Sequence, residues 1–183
     1  MFLLAGVLGA LYERQSSGRG QIVDAAMTDG VAALSAMAWD LRASGLLAGG
    51  RGRNMLDGGA PQYGTYRCAD GKYLALGALE ERFYRELLTR LGMEGDVVLS
   101  DRSHGQWKTL RQRLEEIFAT RSRDEWCELL AGTDACVSPV LDWEEAALHP
   151  HNVSRGTFVE VQGVTQPAPA PRFSRTPSAL KLS

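Results

Sequence analysis

Hydrophobic and polar residues along this chain change rhythm from one stretch to the next. Met1 to Leu11 is apolar throughout. At helical period it predicts a helix over residues 1–16 that is apolar all round and therefore buried, stopped by Ser16-Ser17-Gly18. Gln21 to Met27, with β-branched Ile22 and Val23 near its start, predicts a strand. Thr28 then caps a helix running through Trp39. That helix–strand–helix order predicts a piece of an α/β layer with a parallel sheet. A glycine-rich loop from Ser44 to Arg53 follows and marks a domain crossing. Later, apolar residues recur at helical spacing over Glu80–Leu91 (Phe83, Leu87, Leu88, Leu91) and over Trp107–Phe118 (Leu110, Leu114, Ile117). Ser122-Arg123-Asp124-Glu125 and Asp142-Trp143-Glu144-Glu145 each carry the spacing of a capping box and open further helices. Cys136–Val140 and Thr157–Val161 predict short strands, and the proline-rich remainder reads as an extended arm.

The stretch from Leu56 to Tyr84 holds the candidate chemistry. It begins with a glycine-rich loop at Asp57-Gly58-Gly59-Ala60-Pro61. Thr65–Ala69 and Lys72–Gly77 read as two strands, joined at Asp70-Gly71 by a predicted type I′ turn. Glu80 and Glu81 then head a helix, where carboxylates are favoured by the unpaired N–H groups of the first turn. Glu80, between strand and helix and near glycines that admit a ligand, is the candidate catalytic residue. It reads as a general base, as a group that orients one, or simply as a helix-capping acid. Tyr63, Asp57, Gly58 and Gly59 form the candidate substrate-binding set. Asp57 also reads as a turn residue, and Tyr63 and Tyr66 as core or rim.

Composition narrows the function classes. With 183 residues the chain holds one sizeable domain and part of a second. Expected boundaries are 1–55 for a partial large domain, 56–148 for a small α+β domain and 149–183 for a tail returning to the first. A net charge of −2 carries no footprint for nucleic acid. The apolar start lacks a basic leader and is too short to span a bilayer, so no membrane partner is expected. Cys68, Cys127 and Cys136 form no disulfide framework or metal spacing, read as small core residues and suit a reducing, cytoplasmic compartment. His104, His149 and His151 suggest no zinc site, and no G-x-S-x-G or P-loop is present.

Three runs carry a resemblance: Asn54-Met55-Leu56-Asp57-Gly58-Gly59-Ala60-Pro61-Gln62-Tyr63, Tyr66-Arg67-Cys68-Ala69-Asp70-Gly71-Lys72-Tyr73 and Gly77-Ala78-Leu79-Glu80-Glu81-Arg82-Phe83-Tyr84. With Tyr12–Asp24, they resemble the later half of the family III CoA-transferases (CaiB/BaiF type), most closely the α-methylacyl-CoA racemase branch. Gln62 stands where Phe is usual, and Glu81 where Pro is usual. The resemblance implies an α/β fold, a fragment of a Rossmann-like large domain plus a small α+β domain. It implies an enzyme acting on acyl-CoA thioesters by α-proton exchange, with CoA entering as part of the substrate and no separate cofactor. The alternatives are a CoA-transferase moving CoA between carboxylic acids, or a non-catalytic interaction module. In the family the catalytic aspartate lies in a GDxGGG-type turn upstream of the helix that begins here at Met1, and the racemase histidine lies earlier still. The chain therefore reads as a truncated half, expected to be inactive alone and to pair as a homodimer or with a complementary N-terminal half.

Overall fold

The computed structural model describes residues 1–47 and 49–178. It divides into two compact units, Met1–Ala60 and Pro61 onward.

The first unit contains helices α1 (Phe2–Ser17), α2 (Met27–Leu34) and α3 (Ala36–Ala43). The left-handed Gly18 ends α1 and donates its N–H to the Arg14 carbonyl, an arrangement that spares the last carbonyls from going unpaired. The predicted strand at Gln21–Met27 does not form. Residues 21–26 lie outside helix and strand, and Met27 already begins α2. A strand needs a neighbour for its N–H and C=O groups, and among the described residues of this unit there is none. The parallel sheet expected here is likewise absent among them. Thr28 does not cap α2. Ala26 occupies that position, without a side-chain bond. The predicted single helix breaks at Ser35, whose hydroxyl donates to the Val31 carbonyl at 2.7 Å and competes with the helical ladder. The predicted burial of residues 1–16 also fails: no residue of α1, α2 or α3 is buried. Packing is local, with the Phe2 ring lying against Gly30 and Val23 against Gly6.

The second unit is built on an antiparallel sheet in the order β1 (Tyr63–Arg67), β2 (Tyr73–Gly77), β3 (Val137–Val140). Tyr63 pairs with Gly77 and Arg67 with Tyr73, while Tyr73 also pairs with Val140. Alternation buries Tyr66, Leu74 and Leu76 and leaves Tyr63 and Tyr73 out. Against the buried face stand α4 (Glu81–Leu91), α6 (Trp107–Phe118) and α7 (Arg123–Leu130), with the short α5 (Val97–Ser100) between. Leu87, Leu99, Leu110, Leu114 and Phe118 are fully enclosed. The Phe118 ring bridges Tyr66 at 5.2 Å and Trp126 at 5.5 Å. The β1–β2 connection differs from the expected type I′ turn. Among the residues from Cys68 to Lys72 only Gly71 has positive φ, with its N–H on the Cys68 carbonyl at 3.0 Å. Asp70 is free to use its carboxylate instead, accepting from the N–H groups of Lys72 and Arg123.

Both predicted capping boxes form, at Ser122 for α7 and at Asp142 for α8 (Trp143–Leu148). They are tied by Arg123, which is only 4% exposed. Its guanidinium donates to both oxygens of Glu145, to the Val140 carbonyl and to Asp124, and Lys72 pairs with Glu145 from the other side. These neighbours hold the Glu145 carboxyl far below its ordinary range, Arg123 first and Lys72 second. Helix α9 (Pro150–Arg155) follows, and then a hairpin of β4 (Phe158–Val161) and β5 (Val164–Pro167). The extended arm expected there thus includes a second strand. Its turn, Gln162-Gly163, has positive φ at both positions, the geometry of type I′, with a glutamine where Asn or Asp is the usual signal.

Candidate functional site

Strand β2 is steered into α4 by a tight turn in which the Leu79 N–H reaches back to the Gly77 carbonyl at 2.9 Å, an i to i+2 closure common at strand ends. Ala78, at its centre, is fully buried. Glu80 follows in extended conformation at the N-cap of α4, and its carbonyl accepts from the Tyr84 N–H at 3.0 Å. Its side chain is exposed and makes no capping hydrogen bond among the described residues. Glu81 behaves differently, since its carboxylate is taken by Arg85 at 3.3 Å and by Arg102. Of the two acids at this junction, Glu80 alone has a carboxylate unengaged by a described neighbour.

Three groups surround the Glu80 turn. Tyr63, opposite Gly77 on the outer sheet face, is 40% exposed and lies where a side chain at residue 77 would touch its ring at 3.9 Å. Cys136 stands across the strand end, its carbonyl accepting from the Gly77 N–H at 2.9 Å. It is exposed, with φ of 52°, which corrects the expectation of a core cysteine. Partial burial raises its thiol's pKa, the Glu80 and Asp134 carboxylates add to the rise, and Arg82 opposes it. Arg102 lies behind the turn, donating to the Leu79 carbonyl at 3.0 Å. Neither Cys136 nor Arg102 was singled out by periodicity or motif. Arg102 reaches the turn from a polar loop 23 residues along the chain, a distance no local pattern encodes. By contrast Cys68 is buried, its thiol pushed up to about 11 by desolvation, as suits an inert core residue.

The Asp57-Gly58-Gly59 loop belongs to the first unit. Asp57 accepts hydrogen bonds from the Asn54 side-chain amide at 2.7 Å and from the N–H groups of Asn54, Gly52 and Gly59. Gly59 sits so close to the Asn54 and Gly52 carbonyls that a Cβ there would approach them to 2.6 and 2.8 Å. Gly58 has φ of +87°, the left-handed region that glycine occupies without cost. The Asn54 amide foremost, with the backbone N–H groups against a smaller desolvation, lowers the Asp57 carboxyl to about 2. A depressed pKa stabilises the loop above the ordinary carboxyl value of 3.8, and that contribution is lost as pH falls through about 2. The Gly52 and Asn54 amide resonances are therefore expected to shift with an acid midpoint near 2. A midpoint at the ordinary carboxyl value would contradict the hydrogen-bonded loop.

Gln62 is 5% exposed, and its Oε1 has no hydrogen-bond partner among the described residues. A buried acceptor left unpaired is costly, so Gln62→Met is expected to raise stability by about 1 kcal/mol in urea titrations. A loss of similar size would mean that the oxygen is satisfied.

The description CoA-transferase family III matches residues 1–183. An α-methylacyl-CoA racemase of Mus musculus is 45% identical over 174 residues, covering 94% of this chain and 46% of its own length. The Homo sapiens racemase is 43% identical over 175 residues, again 94% of this chain and 46% of its own. A crystal structure of a hypothetical protein from Mycobacterium tuberculosis superposes with a TM-score of 0.74 at 20% identity, covering 97% of this chain and 48% of that one, a likeness of fold. The chain spans about half the length of the curated relatives it matches. With the family description covering every residue and two racemases above 40% identity, this chain belongs to CoA-transferase family III.

Proposed function

We propose that this chain supplies one half of an acyl-CoA racemase that exchanges the α-proton of 2-methylacyl-CoA thioesters. The observation carrying this reading is the 45% identity to a racemase across 94% of the chain. The unengaged Glu80 carboxylate at the strand-to-helix turn adds to it. In such a reaction the thioester carbonyl acidifies the α-proton, and the site must stabilise an enolate and present a base to each face. Glu80 acts as one of these bases or orients one. Tyr63 offers an aromatic wall for the acyl chain. CoA enters as part of the substrate, with no further cofactor. The racemase relatives extend well beyond the matched portion, which is 46% of their length, and the other reacting groups of the proposed enzyme belong to such additional chain. No described helix is long and apolar enough to cross a membrane.

The partner is a second copy of the chain or a complementary N-terminal half. Helices α1 to α3 expose Phe2, Leu8, Met27, Val31 and Trp39, and apolar surface of this extent drives association. Sedimentation of the isolated chain is expected to show a dimer or larger species at tens of micromolar (roughly, a range that populates micromolar interfaces). A compact monomer would count against this.

The function is tested by α-proton exchange into deuterated water on 2-methylacyl-CoA. The chain alone is expected to give background exchange, and the chain completed by the residues its relatives carry is expected to exchange. CoA transfer between carboxylic acids by the completed protein, without α-exchange, would overturn the racemase reading in favour of a transferase. Exchange by the isolated chain would overturn the half-enzyme reading.

A further inference from the structure

We propose that Arg102 is a positioning residue for Glu80, a role that rests on the function proposed above. The guanidinium donates through Nη1 to the carbonyl of Leu79, immediately before Glu80, and through Nη2 to the carboxylate of Glu81, immediately after it. It therefore grips the chain on both sides of Glu80 without touching Glu80 itself. Its guanidinium carbon lies 4.6 Å from the centre of the Tyr84 ring, one helical turn further on. That ring is buried, and its hydroxyl donates to the Leu99 carbonyl at 2.9 Å. The Arg102 main chain is fixed in turn, its carbonyl accepting from the Trp107 indole N–H at 3.2 Å. The side chain is 22% exposed, shielded enough for the fork to hold its geometry.

The chemical consequence follows from where the charges go. An arginine beside two adjacent acids would ordinarily pair with either. Here it is committed to Glu81 and to a main-chain oxygen, and Arg85 takes the remaining share of Glu81. The turn is held rigid by a cation while the Glu80 carboxylate is left without one. Proton transfer needs a group held in a fixed position whose oxygens are not already taken by a neighbouring cation. Glu81 thus gives the head of α4 an ionic anchor. Lysine at residue 102 would keep the charge but not the two-pronged reach.

Arg102→Met and Arg102→Lys test the role, with Arg90→Met, which breaks the surface pair to Glu86 on the same helix, as the control for loss of an exposed ion pair. In the chain as it stands, the amides of Leu79 and Tyr84, which close the turn and open the helix, are expected to exchange hydrogen several-fold faster in Arg102→Met. The Leu74 and Leu114 amides are expected to be unchanged. Unaltered protection at Leu79 and Tyr84 would overturn the proposal. In the completed enzyme Arg102→Met is expected to lower kcat by about 10-fold or more, as misplaced catalytic groups do, with KM nearly constant and Arg102→Lys recovering part of the loss. Glu80→Gln added to Arg102→Met is expected to cost less than Glu80→Gln alone, because the two act through one group. If Glu80→Gln abolishes turnover while Arg102→Met leaves it intact, Arg102 has no positioning role and the reading of Glu80 survives. If Glu80→Gln is itself silent, that reading fails and takes the role of Arg102 with it.

Discussion

In the racemase proposed above, with this chain joined to the residues its relatives carry, Glu80→Gln is expected to lower α-proton exchange by roughly 10²-fold or more with little change in melting temperature. The substitution keeps size and hydrogen-bonding capacity and removes only the charge and the basic oxygen. Had Glu80 been a capping residue, its loss would cost a hydrogen bond to the first turn of α4. The side chain makes no such bond, so only its interaction with the helix dipole is at stake, about 0.5 kcal/mol at an exposed site. Turnover and stability should therefore separate. Glu81→Gln makes the contrast: its carboxylate is engaged by Arg85 and Arg102, and an amide oxygen still accepts from Arg102. Near-normal exchange is expected. A large fall for Glu81→Gln with a silent Glu80→Gln would move the proposed site by one residue. Near-normal turnover in both would leave Glu80 as a surface acid at a helix end.

The second unit was legible in the sequence wherever a local pattern carried the information. Leu110, Leu114 and Ile117 mark one face of α6, and Ser122 and Asp142 open α7 and α8 through capping boxes that form as spaced. Glu80 stands out in the sequence because motif and element boundary coincide there, and the structure puts it at the N-cap of α4. What escaped was non-local or contrary to local habit. Arg102 reaches the Glu80 turn from a distant loop, and the type I′ turn at Gln162-Gly163 uses a glutamine in a left-handed conformation. Asp70-Gly71 has the residues of a type I′ turn, yet Asp70 is drawn into pairing with the N–H of Arg123 at the start of α7, a tertiary contact outweighing turn preference. In the first unit, Ile22 and Val23 are β-formers in a segment with no neighbouring strand among the described residues. Periodicity states what a segment would bury or pair with; it does not supply the partner.

Arg123→Met is expected to destabilise the chain by about 2 kcal/mol, a fall of roughly 6 °C in Tm for a protein of this size. The expectation rests on where the guanidinium sits. At 4% exposure it is the one charged side chain buried among the described residues, and it joins three elements: its own α7, the end of β3 through the Val140 carbonyl, and α8 through both oxygens of Glu145. Methionine fills much of the same volume, so the loss measures hydrogen bonds and charge pairing rather than a cavity. Lys72 remains on Glu145, which keeps the figure at the low end for a broken buried pair. Glu145→Gln should cost less than Arg123→Met, because Arg123 keeps Asp124, the Val140 carbonyl and an amide oxygen that still accepts from it. Acid gives an independent check. Because Arg123 and Lys72 depress the Glu145 carboxyl, its contribution is present above the ordinary glutamate pKa of 4.5 and is lost as pH falls below that value. The acid-induced loss of stability should therefore be smaller in Arg123→Met than in the parent. The double substitution Arg123→Met with Glu145→Leu, which removes both charges together, should recover much of the single-mutant loss. Urea titrations of the four proteins at pH 7 and again near pH 4 measure all of this. If Arg123→Met and the parent unfold at the same urea concentration at both pH values, the cluster is a surface feature that holds nothing together.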